Sequence, residues 1–244
     1  MSRLDRPVSV NENPNPSTKF LHWKSNDQNF EWYNKETKEK IKVKLPLKVL
    51  FLEHYHTVKG WSDSSNSGIW SNEVFSSMNE EMEVKNSNGV IVKGIYSEHK
   101  VLINNAGGSY HRSIYCMTEQ GEIINLQLKG SAVGGINADK SEDGKDVLGW
   151  NTFYGGSKKK NIKGVSHLLD NQWIEINLAK KGKSGSVTYS IPFFEVGAIL
   201  TKKENDLANK SASILQEYMN EYFSVEKVKV DKVEQEEESE DMPF

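Results

Sequence analysis

The sequence predicts a mainly β, β-rich α+β fold: a Greek-key barrel with long loop insertions and a C-terminal helix. Three observations predict it. Short runs of alternating apolar and polar residues recur along most of the 244 positions. Clusters of Ser, Asn, Gly and Lys separate those runs. Near the end, apolar residues fall at helical spacing in one stretch, 203–223.

The elements follow in order. Residues 1–17 contain Asn11, Asn13, Pro14, Asn15 and Pro16 and little apolar content, and read as a flexible arm. Phe20–Trp23 and Phe30–Tyr33 are short aromatic strands, and Asn34–Thr37 is a turn. The clearest strand is Ile41–Leu52. Ile41, Val43, Leu45, Leu47, Val49 and Phe51 alternate with Lys42, Lys44, Pro46 and Lys48, so the lysines share one face. Pro46 cannot donate to a ladder and marks an edge or a bulge. Further strands are expected at His54–Val58, Ile69–Phe75, Gly89–Tyr96, Lys100–Asn104, Ser113–Thr118, Trp173–Leu178 and Ser186–Pro192. Glu122–Leu128 reads as strand or helix. Loops are expected at Ser62–Gly68, Gly155–Lys160 and Lys180–Gly185. Leu207, Ile214, Leu215, Tyr218, Met219 and Tyr222 lie near one face of the late helix. The organisation is an arm (1–17), one barrel domain of OB type including the helix (18–224), and a disordered acidic tail (225–244). A β-sandwich is the alternative architecture.

Charge is divided unevenly. The net charge is −3, but Glu234, Glu236, Glu237, Glu238, Glu240 and Asp241 sit together near the end. Without these six the remainder is +3. The basic residues are almost all lysine; the only arginines are Arg3, Arg6 and Arg112. Lysine is a point charge suited to phosphate, whereas arginine reads guanine edges. A lysine-rich genome-wide composition explains the same ratio without any ligand. No run of about 18 apolar residues is present to span a bilayer. One cysteine, Cys116, excludes an internal disulfide. Cytoplasmic localisation is the expectation.

The last residues read Glu236-Glu237-Glu238-Ser239-Glu240-Asp241-Met242-Pro243-Phe244. This resembles the tail of bacterial and phage single-stranded DNA-binding proteins, where an acidic run ends in an apolar tip finishing Pro-Phe. Ser67-Gly68-Ile69-Trp70-Ser71-Asn72-Glu73-Val74, after Gly60, is similar to a stretch of the phage members. So is the block Gly121 to Ala132. The resemblance implies an OB-fold core, a role in replication, recombination and repair, and the cytoplasm of an infected bacterium. It also implies that Glu236, Glu237, Glu238, Glu240, Asp241, Met242, Pro243 and Phe244 recruit replication proteins such as a polymerase or a helicase–primase.

Binding a single strand needs cations along the phosphates and aromatic faces for the bases. Candidates for the first are Lys42, Lys44 and Lys48, then Lys158, Lys159 and Lys160, then Lys180, Lys181 and Lys183. Candidates for the second are Trp23, Trp32, Tyr33, Tyr55, Trp61, Trp70 and Tyr154. Tyr154 precedes the triple lysine across Gly155-Gly156, and a groove is expected between Lys42–Lys48 and Tyr154–Lys160. Each tryptophan also reads as core, and each lysine as a solvated charge. The acidic tail, tethered to the barrel, would compete with DNA for the groove.

Other chemistry lacks its residues. His54 and His56 alternate on one strand, but no further Cys or His pair completes a metal site. Asp139, Glu142, Asp143 and Asp146 form an acidic loop that does not fit a calcium loop. No metal, cofactor or catalytic group is expected. The alternatives are a carbohydrate-binding or viral structural β-domain, and a metal-dependent nucleic-acid enzyme. The helix supports either packing on the barrel or a homodimer.

Overall fold

The computed structural model describes residues 14–134, 148–184 and 186–240; at 182–184, 187 and 225–240 it describes the backbone alone. The chain is mainly β, with one large mixed sheet and a C-terminal helix. Strands β1 (Lys19–Lys24), β2 (Asn29–Asn34) and β3 (Glu39–Lys42) form a meander. β4 (Leu47–Ser62) is the longest strand. β5 (Ser67–Ser71), β6 (Glu81–Asn86) and β7 (Gly89–Ile95) continue from it, followed by helix α1 (Tyr96–Asn105). β8 (Gly108–Thr118) and β9 (Ile123–Lys129) lie on the other side of β4. Helix α2 (Trp150–Gly155) precedes the long hairpin β10 (Gln172–Ser184) and β11 (Val187–Ile199), and α3 (Lys202–Glu240) ends the described chain.

The sheet order is β3-β2-β1-β9-β8-β4-β5-β6-β7, with β10 returning to pair the start of β4. All pairings are antiparallel except β1 with β9. Alternation along the central strands separates two faces. One carries Leu21, Trp23, Phe30, Val49, Ile114, Cys116, Leu126 and Leu128, which pack with Trp150, Phe153, Ile176 and Phe194 into the main core. The outer face is divided. At one end Tyr55, Tyr115 and Ile123 are covered by Leu215, Tyr218 and Met219 of α3. At the other end it is open.

The α3 contact follows from its sequence. Ala208, Ser211, Leu215, Tyr218 and Met219 recur every three or four residues and are buried. Its start is a capping box: Glu204 N–H donates to Thr201 Oγ1 at 3.3 Å and Thr201 N–H to Glu204 Oε2 at 2.7 Å.

Several expectations change. The strand expected at Ile41–Leu52 is two strands, because the chain leaves the β2 ladder after Lys42 and joins β8 and β10 from Leu47, with Pro46 at the break. Lys100–Asn104 is helical, within α1, where Ile103 is the one buried residue; a helix packing on Val58, Ile69 and Met82 needs only one inward stripe, which a period-two reading misses. Lys180–Gly185 is not a loop up to Ser184: Lys180, Lys181 and Lys183 pair Ile191, Ser190 and Thr188. Glu122–Leu128 resolves as strand β9. The helix expected over 203–223 continues to Glu240, taking in Glu236, Glu237, Glu238 and Glu240 from the expected disordered tail. Glu, Lys and Gln are good helix formers, and no Gly or Pro interrupts them before Pro243. Asp241, Met242, Pro243 and Phe244, the first 13 residues of the arm, and the acidic loop from Asp139 to Asp146 lie outside the described residues.

Candidate nucleic-acid interface

The open half of the outer face is built by seven strands, β1 to β5, β8 and β9. On β4, Thr57, Lys59 and Trp61 share a face. Lys59 stands opposite Trp70 on one side and Ser109 on the other. His111 stands opposite Thr57 and Lys129. Phe20 and His22 of β1 pair Asn125 and Gln127 of β9. His22 faces Glu31, which faces Lys42, and Tyr33 faces Lys40. Cross-strand partners point to the same side of a sheet, so these side chains form one surface.

Its aromatic rings are unusually exposed. Trp61, Trp70 and Tyr33 are 54%, 47% and 54% exposed. Gly68, opposite Trp61, leaves that ring uncovered. Gly60 lets β4 approach the turn before β8, because a Cβ there would sit 2.1 Å from Gly107 O. Trp61 N–H donates to the same oxygen at 3.3 Å. At the other end, a groove of about 610 Å³ is lined by Phe20, His22, Trp32, Tyr33, Lys19 and Lys59, among others. Lys59 Nζ lies 5.1 Å from the centre of the Phe20 ring, and Lys19 Nζ lies 5.5 Å from that of Trp32.

Lysines supply the charge of this surface. Burial, then Lys59, Lys24 and Lys129, holds His22 down to about 4. Burial also holds His111 down to about 4, against its hydrogen bond to Ser109 O, with Lys59, Lys129 and His22 adding to the depression. Both imidazoles are therefore neutral near pH 7. Burial lowers Lys59, and Glu73 opposes that. The Glu73 carboxyl is raised by burial and accepts hydrogen bonds from Ser113 and Tyr115. It stands at the boundary between the open surface and α3, where Glu73 N–H donates to Tyr222 Oη at 2.8 Å.

The expected site residues fall into three groups. Tyr33, Trp61 and Trp70 are exposed on this surface, Trp32 lines the groove beside it, and Lys42 flanks it; Lys44 is exposed between β3 and β4. Trp23 and Tyr55 are core residues. Trp23 is 5% exposed, meets Phe30 edge-on and donates to Ser190 O at 2.9 Å. Tyr55 is 3% exposed, against Tyr115, Phe75 and Phe223. Neither ring can present a face to a base. The remaining residues lie elsewhere. Lys48 is paired with Glu119 at 2.8 Å and lies over Trp173, 4.7 Å from its centre. Tyr154 stacks on Trp150 and packs on Phe51 and His54, on the core face of β4. Lys158, Lys159 and Lys160 follow it as an exposed single turn. Lys180 lies over Phe193 on the hairpin, Lys181 is exposed there, and Lys183 is described by its backbone alone. Lys42 stands opposite Glu31 on the outer face, whereas Tyr154 packs on the core side, in the cluster that Val43, Leu45 and Leu47 also join.

Phe20, His22, Lys24, Lys59, His111 and Lys129 were not identified from sequence. Lys59 and Trp61 continue the alternation of β4 two and four residues beyond Thr57, a signal lost by ending the strand at Val58. Lys129 and Phe20 needed the pairing of distant strands.

Four histidines, His111 buried and the other three half-buried, make a pH prediction. Burial, reinforced by Arg112, holds His54 down to about 3 and His56 to about 4, alongside His22 and His111. Each is neutral when folded and takes a proton near 6.5 when unfolded. Their stabilisation is complete above about pH 6.5 and is lost as the pH falls towards 4, at up to about 1.4 kcal/mol per pH unit for each. Urea midpoints measured from pH 7.5 to 4.5 should fall steeply; a flat profile contradicts the assignment.

Among the described residues no three His, Cys, Asp or Glu side chains gather as metal ligands, and no helix is long and apolar enough to cross a membrane. No family model, curated protein or solved structure matches the chain.

Proposed function

We propose that this chain binds single-stranded DNA, without catalysis, along the open half of its outer sheet face. The observation that carries this reading is the placement of Trp61 and Trp70, both about half exposed, on one surface with Lys59 and Lys129. Exposed indole rings give no stability to a monomer, whereas each stacked base contributes about 1–3 kcal/mol irrespective of sequence. Lysine without arginine suits phosphate contact over base reading.

The strand order supports an OB-type reading. β4, β8 and β9 form a meander, α2 follows, and the β10–β11 hairpin returns to the first strand of the meander. In OB barrels the meander carries the nucleic-acid face. Here that face is the outer one, shared between α3 and the lysine–tryptophan surface. The acidic segment after Phe223, ending in Pro243-Phe244, would recruit replication proteins and compete for the basic surface.

Fluorescence anisotropy of labelled oligo-dT and of duplex DNA at several salt concentrations tests this. Single strands should bind more tightly, and log affinity should fall linearly with log salt, about 0.7 per phosphate contacted. Absence of single-strand binding at low salt overturns the reading.

A further inference from the structure

Arg112 is the only arginine among the described residues, and the sheet turns it away from the lysine–tryptophan surface. Its neighbour His111 points to the outer face; Arg112 stands opposite His56 and Leu128 on the core side. It is 8% exposed. One N–H, at Nη1, donates to His56 Nε2, so His56 is neutral with its proton on Nδ1, directed at Tyr110 Oη. That is the one hydrogen bond the guanidinium makes among the described residues. Nε is buried and has no acceptor. No carboxylate there lies within ion-pair distance of it. The field of Glu53 reaches it, but Glu53 Oε1 already accepts from His54 N–H at 2.8 Å.

A buried cation with one partner removed ordinarily destabilises a protein strongly. The unused Nε–Nη2 edge of a guanidinium is the edge that takes two oxygens of one phosphate. Tyr110 Oη meets the same His56 imidazole that Arg112 donates to, and the Tyr154 ring lies 4.6 Å from that of His54, two residues along β4 on the same face; both phenols lie within the field of the guanidinium. Burial raises both, so both keep a proton that an anion can accept. Tyr154 leads across Gly155-Gly156 to the exposed Lys158 and Lys159. We propose that Arg112, with Tyr110 and Tyr154, forms a phosphate-binding site on the core side of β4 and β8. The bound group is either free phosphate or the terminal phosphate of a strand.

Thermal unfolding of the full chain, in phosphate and in chloride at equal ionic strength, tests the site. The wild type should show a saturable rise in Tm of about 2–5 °C with inorganic phosphate. It should also broaden the phosphorus-31 resonance of phosphate. Arg112→Met should abolish both effects and be no less stable than wild type in chloride. Tyr154→Phe keeps the ring and the charge, and should weaken the phosphate response. A short oligo-dT with a 5′-phosphate displaces inorganic phosphate if the ligand is a strand end, and the 5′-hydroxyl oligonucleotide does not. Displacement by neither assigns the site to free phosphate. No saturable response in the wild type, or an equal response in Arg112→Met, overturns the proposal. Because the site faces away from Lys59, Trp61 and Trp70, that result leaves the strand-binding reading standing.

Discussion

Replacing Trp61 and Trp70 together by alanine is expected to weaken oligo-dT binding by at least about 30-fold. Two stacked bases contribute at least about 2 kcal/mol together, and a factor of ten corresponds to about 1.4 kcal/mol. Folding stability should barely change. Both rings stand about half exposed at one edge of the open surface, and exposed substitutions usually fall within about 0.5 kcal/mol. Oligo-dT titrations and urea unfolding on the same preparations separate the two effects. Unchanged affinity in the double variant would remove these tryptophans from the interface. Lys59→Met should add a smaller loss and a shallower salt dependence, because Lys59 lies between them and Phe20.

Trp150→Ala should have the opposite signature, with stability falling by about 3–5 kcal/mol. That is a large part of the roughly 5–15 kcal/mol that holds a domain folded. Trp150 is 1% exposed, within ring-contact distance of Phe51, Phe153, Tyr154 and Phe194. Its Nε1–H donates to His54 Nδ1 at 3.0 Å, so truncation leaves a cavity and an imidazole without its donor. Trp150→Phe should lose less, since it keeps part of the volume. A change in urea midpoint worth under 1 kcal/mol for Trp150→Ala would contradict its place in the core.

The contrast between these tryptophans shows what was legible in the sequence. Trp23, Trp61, Trp70 and Trp150 all stand beside polar or glycine-rich residues. Local composition cannot tell a ring pressed against Ser190 from one left bare opposite Gly68. The distinction depends on strands far apart in the chain. Lys48 illustrates the same point for charge. Its alternation with Lys42 and Lys44 was visible, but the break at Pro46 and the pairing with Glu119 were not. The outer-face lysines Lys59 and Lys129 sit on strands joined through β8, so their proximity appears in neither local pattern.

By itself, the sequence determined the mainly β class, short strands such as Phe20–Trp23 and Phe30–Tyr33, the amphipathic stretch Leu207–Tyr222, and the separation of a basic body from an acidic end. Each rests on periods of two or three to four residues, or on charge summed along the chain, and such signals are local. Only the tertiary structure decided which aromatic residues are exposed, which lysines share a surface, and that Arg112 is buried with no carboxylate at ion-pair distance among the described residues. Those properties belong to pairs of strands brought together by the β4–β8–β9 ladder and to the half of its outer face that α3 leaves open. Register between distant segments sets them, and register is fixed by packing of the whole sheet.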